Sequence, residues 1–159
     1  MMQRGVIRQV SPDTDVDAAT MLVAYLQALC GGVHVVTVDG AAAGMAVQRL
    51  GPACELLGLT AGLVEPGQSK DERRRAYRAD LTFGSFTELG YDYLRDNRAV
   101  VLSEVVQNEL RYAIIQRADK ILWHNGRLPL LLSAPVRKEL GGTRRRWRPR
   151  GSGSTTSTT

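Results

Sequence analysis

The sequence predicts an α/β protein built on a largely parallel sheet with helices on both faces. Short apolar runs alternate with segments of helical periodicity, which is the order of repeated strand-helix-strand units. The runs VHVVTV and YAIIQ are apolar nearly throughout, as strands covered on both faces are. At 159 residues, of which 43% are hydrophobic, the chain suits one domain with a buried core.

Each element follows from a local pattern. The candidate strands are GVIRQV (5–10), VHVVTV (33–38), LTAGLV (59–64), DLTFG (80–84), YAIIQ (112–116) and LPLLLS (128–133). The candidate helices are residues 18–30, 44–57, 70–78 and 87–97. The first helix, AATMLVAYLQALC, is apolar almost all round, which predicts deep burial. The third, KDERRRAYR, is polar nearly throughout, which predicts a solvated helix near the surface.

The net charge of +5 is concentrated near the C-terminus. The heptad RRRWRPR supplies five arginines and leaves 16 basic residues against 16 acidic ones elsewhere. Residues 141–159 are therefore predicted to form a disordered tail, first basic and then rich in Gly, Ser and Thr. The tail is either solvated or a weak contact for RNA, anionic lipid or a protein partner. Its arginines are Arg144, Arg145, Arg146, Arg148 and Arg150.

No apolar run approaches the roughly 20 residues of a membrane span, and no secretory signal is recognisable, so a cytoplasmic protein is expected. Cys30 and Cys54 lie far apart in such a chain, which favours two buried thiols over a disulfide. The side chains worth considering as metal ligands are Cys30 with His34, and His124 with Asn125 and Asp119. None has a recognised ligand spacing, so no metal site is predicted.

Several segments carry a family resemblance. GVHVVTV, GPACELLGLTAGL, RRAYRADLTFGSFTELGYDYLRDN, LRYAII, ILW and LPLLLSAP occur in this order. Over about residues 5–135 the chain resembles the first motor domain of SecA, the ATPase that drives preproteins through the bacterial Sec channel. GYDYLRDN, residues 90–97, is the most specific match. The resemblance implies a P-loop NTPase, RecA-like fold for residues 1–140, and a family that uses ATP and Mg²⁺. It also implies that the family's other domains lie outside this chain.

The nucleotide motifs of that family are replaced. Its phosphate loop, T-G-E-G-K-T, corresponds to residues 12–17, PDTDVD. Asp13 and Asp15 stand at the glycines, Val16 at the lysine and Asp17 at the hydroxyl that holds Mg²⁺. A carboxylate about 4 Å from a phosphate charge costs about 4 kcal/mol at an effective dielectric constant of 20. These replacements predict that the loop does not bind nucleotide.

The catalytic acids of the family are replaced as well. Where its strand ends in Asp-Glu, this chain has Gln116 and Arg117. An amide is a poor Mg²⁺ ligand and a guanidinium cannot accept a proton, so no catalytic residue is predicted. V-N-D-Y-L-A has become VDGAAA (38–43), and T-N-N-E has become SFTE (85–88). The family residues that remain are Glu88, residues 92–97, Asp119 and Arg127.

These remaining residues are expected to be structural. Arg117 and Arg127 could instead form a new anion site with the tail arginines, but surface or ion-paired arginines explain them more simply.

The sequence therefore predicts a SecA-like motor-domain fragment that lacks intrinsic ATPase activity and needs no cofactor. It would act as a pseudoenzyme of Sec-dependent protein export, with SecA or the Sec translocon as partner. The expected location is the cytoplasm or the inner face of the plasma membrane. Two alternatives are an ATP-binding translocase subunit completed in trans and a helicase-like RNA-binding module that uses the basic tail.

Overall fold

The protein is represented by a computed structural model that describes residues 7, 9, 16–29, 31–107 and 110–132. The helices within these ranges are α1 (Val16–Ala28), α2 (Gly40–Leu56), α3 (Lys70–Tyr77) and α4 (Phe86–Asp96). The strands are β1 (Val33–Thr37), β2 (Ala61–Val64), β3 (Leu81–Ser85) and β4 (Tyr112–Ile115). A short 3₁₀ turn spans Leu102–Glu104 and a π-helical turn spans Asp119–His124.

The four strands form one sheet in the order β2-β3-β1-β4. Every pairing is parallel, and Val33 of β1 lies in register with Leu81 of β3 and Tyr112 of β4. All five residues of the central strand β3 are buried, as expected for a strand covered on both faces. The predicted α/β fold with a parallel sheet is confirmed.

The two faces of the sheet bury different helices because successive side chains along a strand point to opposite sides. On one face, Val35, Leu81 and Phe83 pack with α1 and α2, where Leu50 and Cys54 are buried. On the other face, a smaller cluster joins the strands to α3, α4 and the segment that follows them. Its buried members are Val64, Ala76, Tyr77, Leu89 and Val106. Helices cover both faces, as predicted.

The prediction that the first helix is buried all round is wrong. Met21 and Ala24 are buried, but Leu26 is 53% exposed and Leu29 is 66% exposed. One side of α1 packs against α2, β1 and β4, whereas the side that carries Leu26 is largely exposed. Burial of an apolar helix depends on its neighbours, which its own composition does not specify.

The third helix also differs from its prediction, although it does begin at Lys70. Arg73, Ala76 and Tyr77 are buried, and their spacing of three and four residues places them on one face of the helix. The prediction of a solvated helix is therefore wrong for this stripe. The Arg73 guanidinium can be buried because it pairs with the carboxylates of Glu88 and Asp92.

Two candidate strands are not confirmed. The run 5–10 lies outside the described residues except Ile7 and Gln9, which have no regular structure. Residues 128–132 of the run LPLLLS are described and form no strand. Pro129 has no N–H to give to a ladder, and Leu130 lies so close to Gly90 of α4 that a Cβ there would be 2.5 Å from Leu130 Cδ1. This segment packs on α4 and does not join the sheet.

Residues 141–159, predicted to be a tail, lie outside the described residues. Within the ranges that the structure does describe, no helix is both long and apolar enough to cross a membrane.

The core position of Phe83 gives a test of this fold. Phe83 is fully buried in the central strand, whereas Leu56 at the end of α2 is 89% exposed. Phe83→Ala is expected to lower the free energy of unfolding by about 3–5 kcal/mol, while Leu56→Ala changes it by about 0.5 kcal/mol or less. Urea unfolding followed by circular dichroism measures both. Equal stabilities of the two variants would contradict the assigned core.

Candidate functional site

The carboxyl ends of the parallel strands form the edge where α/β proteins usually bind ligands. Gln116 and Arg117 lie there, directly after β4, as the sequence predicts for the end of this strand. The Gln116 N–H donates to the carbonyl of Val36 at 2.9 Å, which extends the pairing of β4 with β1 by one residue. Arg117 then turns the chain away from the sheet in the left-handed region, with φ at 57°.

Arg117 pairs with the remaining acid of this turn. Its Nε donates to Asp119 Oδ1 and its Nη2 to Asp119 Oδ2, both at 3.2 Å. Both side chains are exposed. The hydrogen bonds from the guanidinium lower the pKa of the Asp119 carboxyl and raise the pKa of Arg117. Asp119 is thus held as a carboxylate, with its charge facing an arginine of the same turn.

The backbone of the turn is also satisfied internally. The Arg117 carbonyl accepts from the N–H groups of Lys120 at 2.9 Å and Ile121 at 3.1 Å, and the Asn125 N–H donates to the Lys120 carbonyl at 3.0 Å with the five-residue spacing of a π-helical turn. His124 Nδ1 lies 3.1 Å from the Asp119 carbonyl oxygen. His124 and Asp119 are therefore brought together as neighbours in one turn, through a backbone atom.

Other polar groups at this edge cap helices. The Asp39 Oδ1 accepts from the Ala42 N–H at 2.7 Å at the start of α2. The Ser85 hydroxyl accepts from the Glu88 N–H at 3.2 Å at the start of α4. Asp39 makes α2 begin four residues before the predicted residue 44, because a side-chain acceptor satisfies an N–H of the first turn.

The predicted phosphate-loop positions are only partly within the described structure. Val16 and Asp17 begin α1, and their side chains lie outside what the structure describes. Asp13, Asp15 and the tail arginines lie outside the described residues altogether.

Residues of the segment GYDYLRDN (90–97) form a buried polar network with residues of α3. Asp92 is fully buried. Its Oδ2 accepts from Arg73 Nη1 at 2.7 Å and from the Tyr77 hydroxyl at 2.8 Å, and its Oδ1 accepts from Arg95 Nη1 at 2.8 Å. Arg73 Nη2 also donates to Glu88 Oε2 at 2.6 Å. Two carboxylates and two guanidiniums thus balance each other, with Asp92 and Arg73 buried and Arg95 half-exposed at the edge of the network.

The protonation states follow from this balance. Burial alone would lower the pKa of Arg73, but its hydrogen bonds to Glu88 and Asp92 outweigh burial and raise it. Burial raises the pKa of the Tyr77 hydroxyl far above its ordinary value, and the negative charge of Asp92 acts in the same direction. The tyrosine stays a neutral donor to Asp92.

A second set of contacts ties the loop after α4 to the network. The Asp96 carboxylate accepts from the N–H groups of Val106 at 3.0 Å and Gln107 at 2.8 Å. Gln107 Nε2 reaches the Leu89 carbonyl at 2.9 Å and the Tyr77 oxygen at 3.3 Å. Four of the retained family residues therefore make contacts within the fold: Glu88, Asp92, Arg95 and Asp96.

The sequence predicts two buried thiols and no metal site, and the described residues include only one of the two cysteines. Cys54 is buried as a free thiol, and burial raises its pKa. Cys30 lies outside the described residues. Across the described ranges, no group of three or more His, Cys, Asp and Glu side chains is placed to hold a metal ion.

Sequence reasoning missed three residues that the structure makes important: Arg73, Tyr77 and Gln107. The spacing of Arg73 and Tyr77, four residues apart with Ala76 between them, is a helical stripe that could have indicated a buried face. Nothing local marks Gln107. The sequence brings His34 into consideration only as a metal ligand with Cys30, and Cys30 lies outside the described residues.

Comparison with known proteins decides the family. The family model described as SecA DEAD-like domain matches residues 17–148. The chain belongs to the SecA DEAD-like domain family. It is 42% identical over 139 residues to "Protein translocase subunit SecA" of Caldicellulosiruptor saccharolyticus, which covers 87% of this chain and 16% of the relative. It is 46% identical over 125 residues to the protein of the same name in Chromohalobacter salexigens, covering 78% of this chain and 14% of the relative.

The SecA protein of Microcystis aeruginosa is 39% identical over 137 residues, covering 86% of this chain and 15% of the relative. The chain therefore spans only about one seventh of the length of these SecA relatives. It corresponds to one part of a SecA motor.

The buried network gives the second test. Asp92→Asn removes the charge that balances two guanidiniums, and breaking a buried ion pair from one side costs about 3–5 kcal/mol of unfolding free energy. Asp71→Asn is the matched control, because Asp71 pairs with Arg74 while 77% exposed and such pairs are worth about 0.2–1 kcal/mol. Chemical denaturation measures both. The network is not structural if the two variants are equally stable.

Proposed function

We propose that this chain is a non-catalytic homologue of the SecA motor domain, which serves Sec-dependent protein export by binding a partner and does not hydrolyse ATP. One observation carries the proposal. The turn after β4, where an ATPase of this family needs acids, holds an amide at Gln116 and an arginine at Arg117 that pairs with Asp119.

These side chains do not fit Mg²⁺. The ion prefers carboxylates, water and phosphate oxygens. Gln116 offers a neutral amide, Arg117 brings a positive charge to the same place, and the Asp119 carboxylate is already bound by that arginine. A cation approaching Asp119 would have to displace a bidentate guanidinium, which is a strong carboxylate partner.

The residues at the phosphate-loop positions support the same proposal by their chemistry. Asp13, Asp15 and Asp17 are anions at the sequence positions that match the family's phosphate loop, and Val16 supplies no cation. A phosphate loop works through glycine backbone N–H groups and a lysine. The chain would need no ATP and no metal ion for a binding role.

Nucleotide titration tests the proposal. Mg·ATP at millimolar concentration is expected to give no heat in calorimetry, because the aspartates at the phosphate-loop positions repel a triphosphate. Hydrolysis is expected to be absent, because loss of even one preorganised group of an active site lowers the rate by about 10²–10³. ATP binding by the isolated chain, or ATPase activity that Arg117→Ala abolishes, would overturn it. Binding that appears only with full-length SecA present would favour an ATP site completed in trans.

A restored variant serves as the positive control for this titration. It combines Asp13→Gly, Asp15→Gly, Val16→Lys, Asp17→Thr, Gln116→Asp and Arg117→Glu. The restored chain is expected to gain weak Mg²⁺-dependent ATP affinity with little turnover, since the chain spans a small part of the SecA relatives.

A binding role needs an exposed surface. The segment from the π-helical turn onward exposes several large apolar side chains, and Trp123 is the most exposed of them. The exposed fractions are Leu122 61%, Trp123 83%, Leu128 65% and Leu131 74%. Exposed apolar patches mark interaction sites, and tryptophan is frequent among the residues that dominate binding energy. The partner we propose is a full-length SecA or the Sec translocon, in the cytoplasm or at the inner face of the plasma membrane.

Capture of a purified SecA tests this partner. Immobilised chain is expected to retain the Chromohalobacter salexigens protein, and Trp123→Asp should weaken retention by at least about tenfold if Trp123 is an anchor. Leu56→Asp is the matched control, because Leu56 is as exposed as Trp123 but lies at the end of α2. Surface plasmon resonance gives both affinities. Equal binding by the two variants, or none by the wild type, would count against this surface.

The RNA-binding alternative depends on the tail arginines Arg144, Arg145, Arg146, Arg148 and Arg150. No observation in the described residues favours RNA binding, and none favours contact of the tail with anionic lipid.

A further inference from the structure

His34, the second residue of β1, is a buried imidazole that the proposed function does not use. It is 7% exposed and lies on the face of the sheet that α3 and α4 cover, two residues before Val36, which packs on the smaller core cluster. The Tyr77 ring of α3 packs beside the imidazole, with a centroid distance of 5.9 Å and an interplanar angle of 44°. His34 is therefore part of the contact between an inner strand and α3.

The imidazole is hydrogen-bonded on one side only. The backbone carbonyl of Tyr112 bonds the ring, while Nε2 is buried and has no hydrogen-bond partner among the described residues. Nδ1 therefore donates to Tyr112, and Nε2 carries the lone pair of a neutral ring. An imidazolium would carry a second N–H at Nε2, and a buried charged donor without an acceptor is far more costly than an unused lone pair. The site fits the neutral ring.

The charged groups near the ring do not compensate for a proton on Nε2. His34 borders a pocket whose wall includes Arg78 and Asp80, from the connection between α3 and β3, and Arg111, from the segment before β4. Among the described residues of this wall, Asp80 is the acid, and its Oδ2 accepts from the Thr60 N–H at 2.8 Å and from the Thr60 hydroxyl at 2.7 Å. A protonated His34 would add a third cation to a wall with one carboxylate.

On the side of α3, the ring faces Tyr77, whose oxygen already has partners. The Tyr77 hydroxyl donates to Asp92 at 2.8 Å and lies 3.3 Å from Gln107 Nε2. Burial raises the pKa of this hydroxyl far above its ordinary value, so it stays neutral. A protonated His34 could reach water only by turning toward the pocket, which would reduce its packing against Tyr77.

We propose that His34 is an acid-sensitive switch in this domain, whose protonation below neutral pH loosens α3 from the sheet. At neutral pH the uncharged ring packs against Tyr77 and bonds the Tyr112 carbonyl. In acid the second proton has no acceptor in the described surroundings, and the contact that joins β1 to α3 gives way to hydration of the ring.

The direction of the pH dependence follows from the burial of the ring. Burial lowers the pKa of His34, and the bond to the Tyr112 carbonyl opposes this shift. In the unfolded chain the pKa of a histidine is about 6.5. Below that pH the unfolded chain takes up a proton that the folded chain does not, so stability is lost as the pH falls and levels off once His34 is protonated in the folded state as well.

Urea unfolding of the full chain between pH 8 and pH 5 tests the switch. The unfolding equilibrium constant is expected to rise by up to about tenfold per pH unit below about pH 6.5, the effect of one proton. His34→Gln keeps a polar side chain that cannot take up a proton, and this rise should disappear. His124→Gln is the matched control, because His124 is exposed, and it should keep the rise. Equal pH dependence of the wild type and His34→Gln would overturn the proposal.

Imidazole NMR of the wild type decides the matter even where His34→Gln does not fold, because the sequence has two histidines. The His34 resonances are expected to titrate at a lower pH than those of the exposed His124. Titration of His34 at the same pH as His124, or at a higher one, refutes the switch.

Hydrogen exchange locates the loosened contact. At pH 5.5, after correction for intrinsic exchange rates, amides of α3 such as that of Tyr77 should lose at least about tenfold more protection than amides of α2 such as that of Leu50, which packs on the opposite face of the sheet. An equal loss on both faces contradicts a switch at the contact with α3.

Discussion

Asp92 is the carboxylate on which the second face of this domain depends. It lies at the contact of α3 with α4, fully buried, and three donors converge on its two oxygens. A charge in that position is tolerated only when it is paired and hydrogen-bonded. Arg73 and Tyr77 reach Asp92 from α3, which fixes α3 relative to α4, whereas Arg95 pairs with Asp92 within α4 itself. Because α3 packs on β2 and α4 on β3, the same contact positions both helices on the sheet.

The consequence reaches both ends of the strands. Tyr77 is held by Asp92 and Gln107, and its ring forms one side of the environment of His34. Glu88, held by Arg73, belongs to the first turn of α4 that Ser85 caps. A substitution at Asp92 would therefore alter the packing of Tyr77 against His34 near the amino ends of the strands. It would also alter the position of α4 at the carboxyl ends. The two edges differ in one respect. At the carboxyl edge Asp39, Ser85, Arg117 and Asp119 have partners within the fold, whereas His34 Nε2 near the amino edge has none among the described residues.

The sequence was sufficient for elements whose pattern is local. VHVVTV and YAIIQ are continuous apolar runs, and both are strands of a parallel sheet. It was insufficient wherever burial depends on a distant partner. Arg73 can be buried only because Asp92 lies opposite it, 19 residues further along the chain, and composition alone assigned that helix to solvent. The apolar helix α1 shows the reverse error, because the described neighbours cover only one of its sides. At the candidate site, the sequence supplied the identities of Gln116 and Arg117 but could not supply the pairing of Arg117 with Asp119.

That pairing compensates for the backbone strain in the turn after β4. A non-glycine residue in the left-handed region costs about 1–2 kcal/mol, and Arg117 occupies it at φ of 57°. Its bidentate contact with Asp119 and the two N–H groups that bond its carbonyl offset this cost. If position 117 carried a glutamate, that side chain would stand beside Asp119 as a like charge, and an aspartate at position 116 would add a third. Such a cluster needs a cation to neutralise it. Arginine at position 117 is such a cation, built into the chain, so the turn carries the Asp119 carboxylate and its countercharge within three residues.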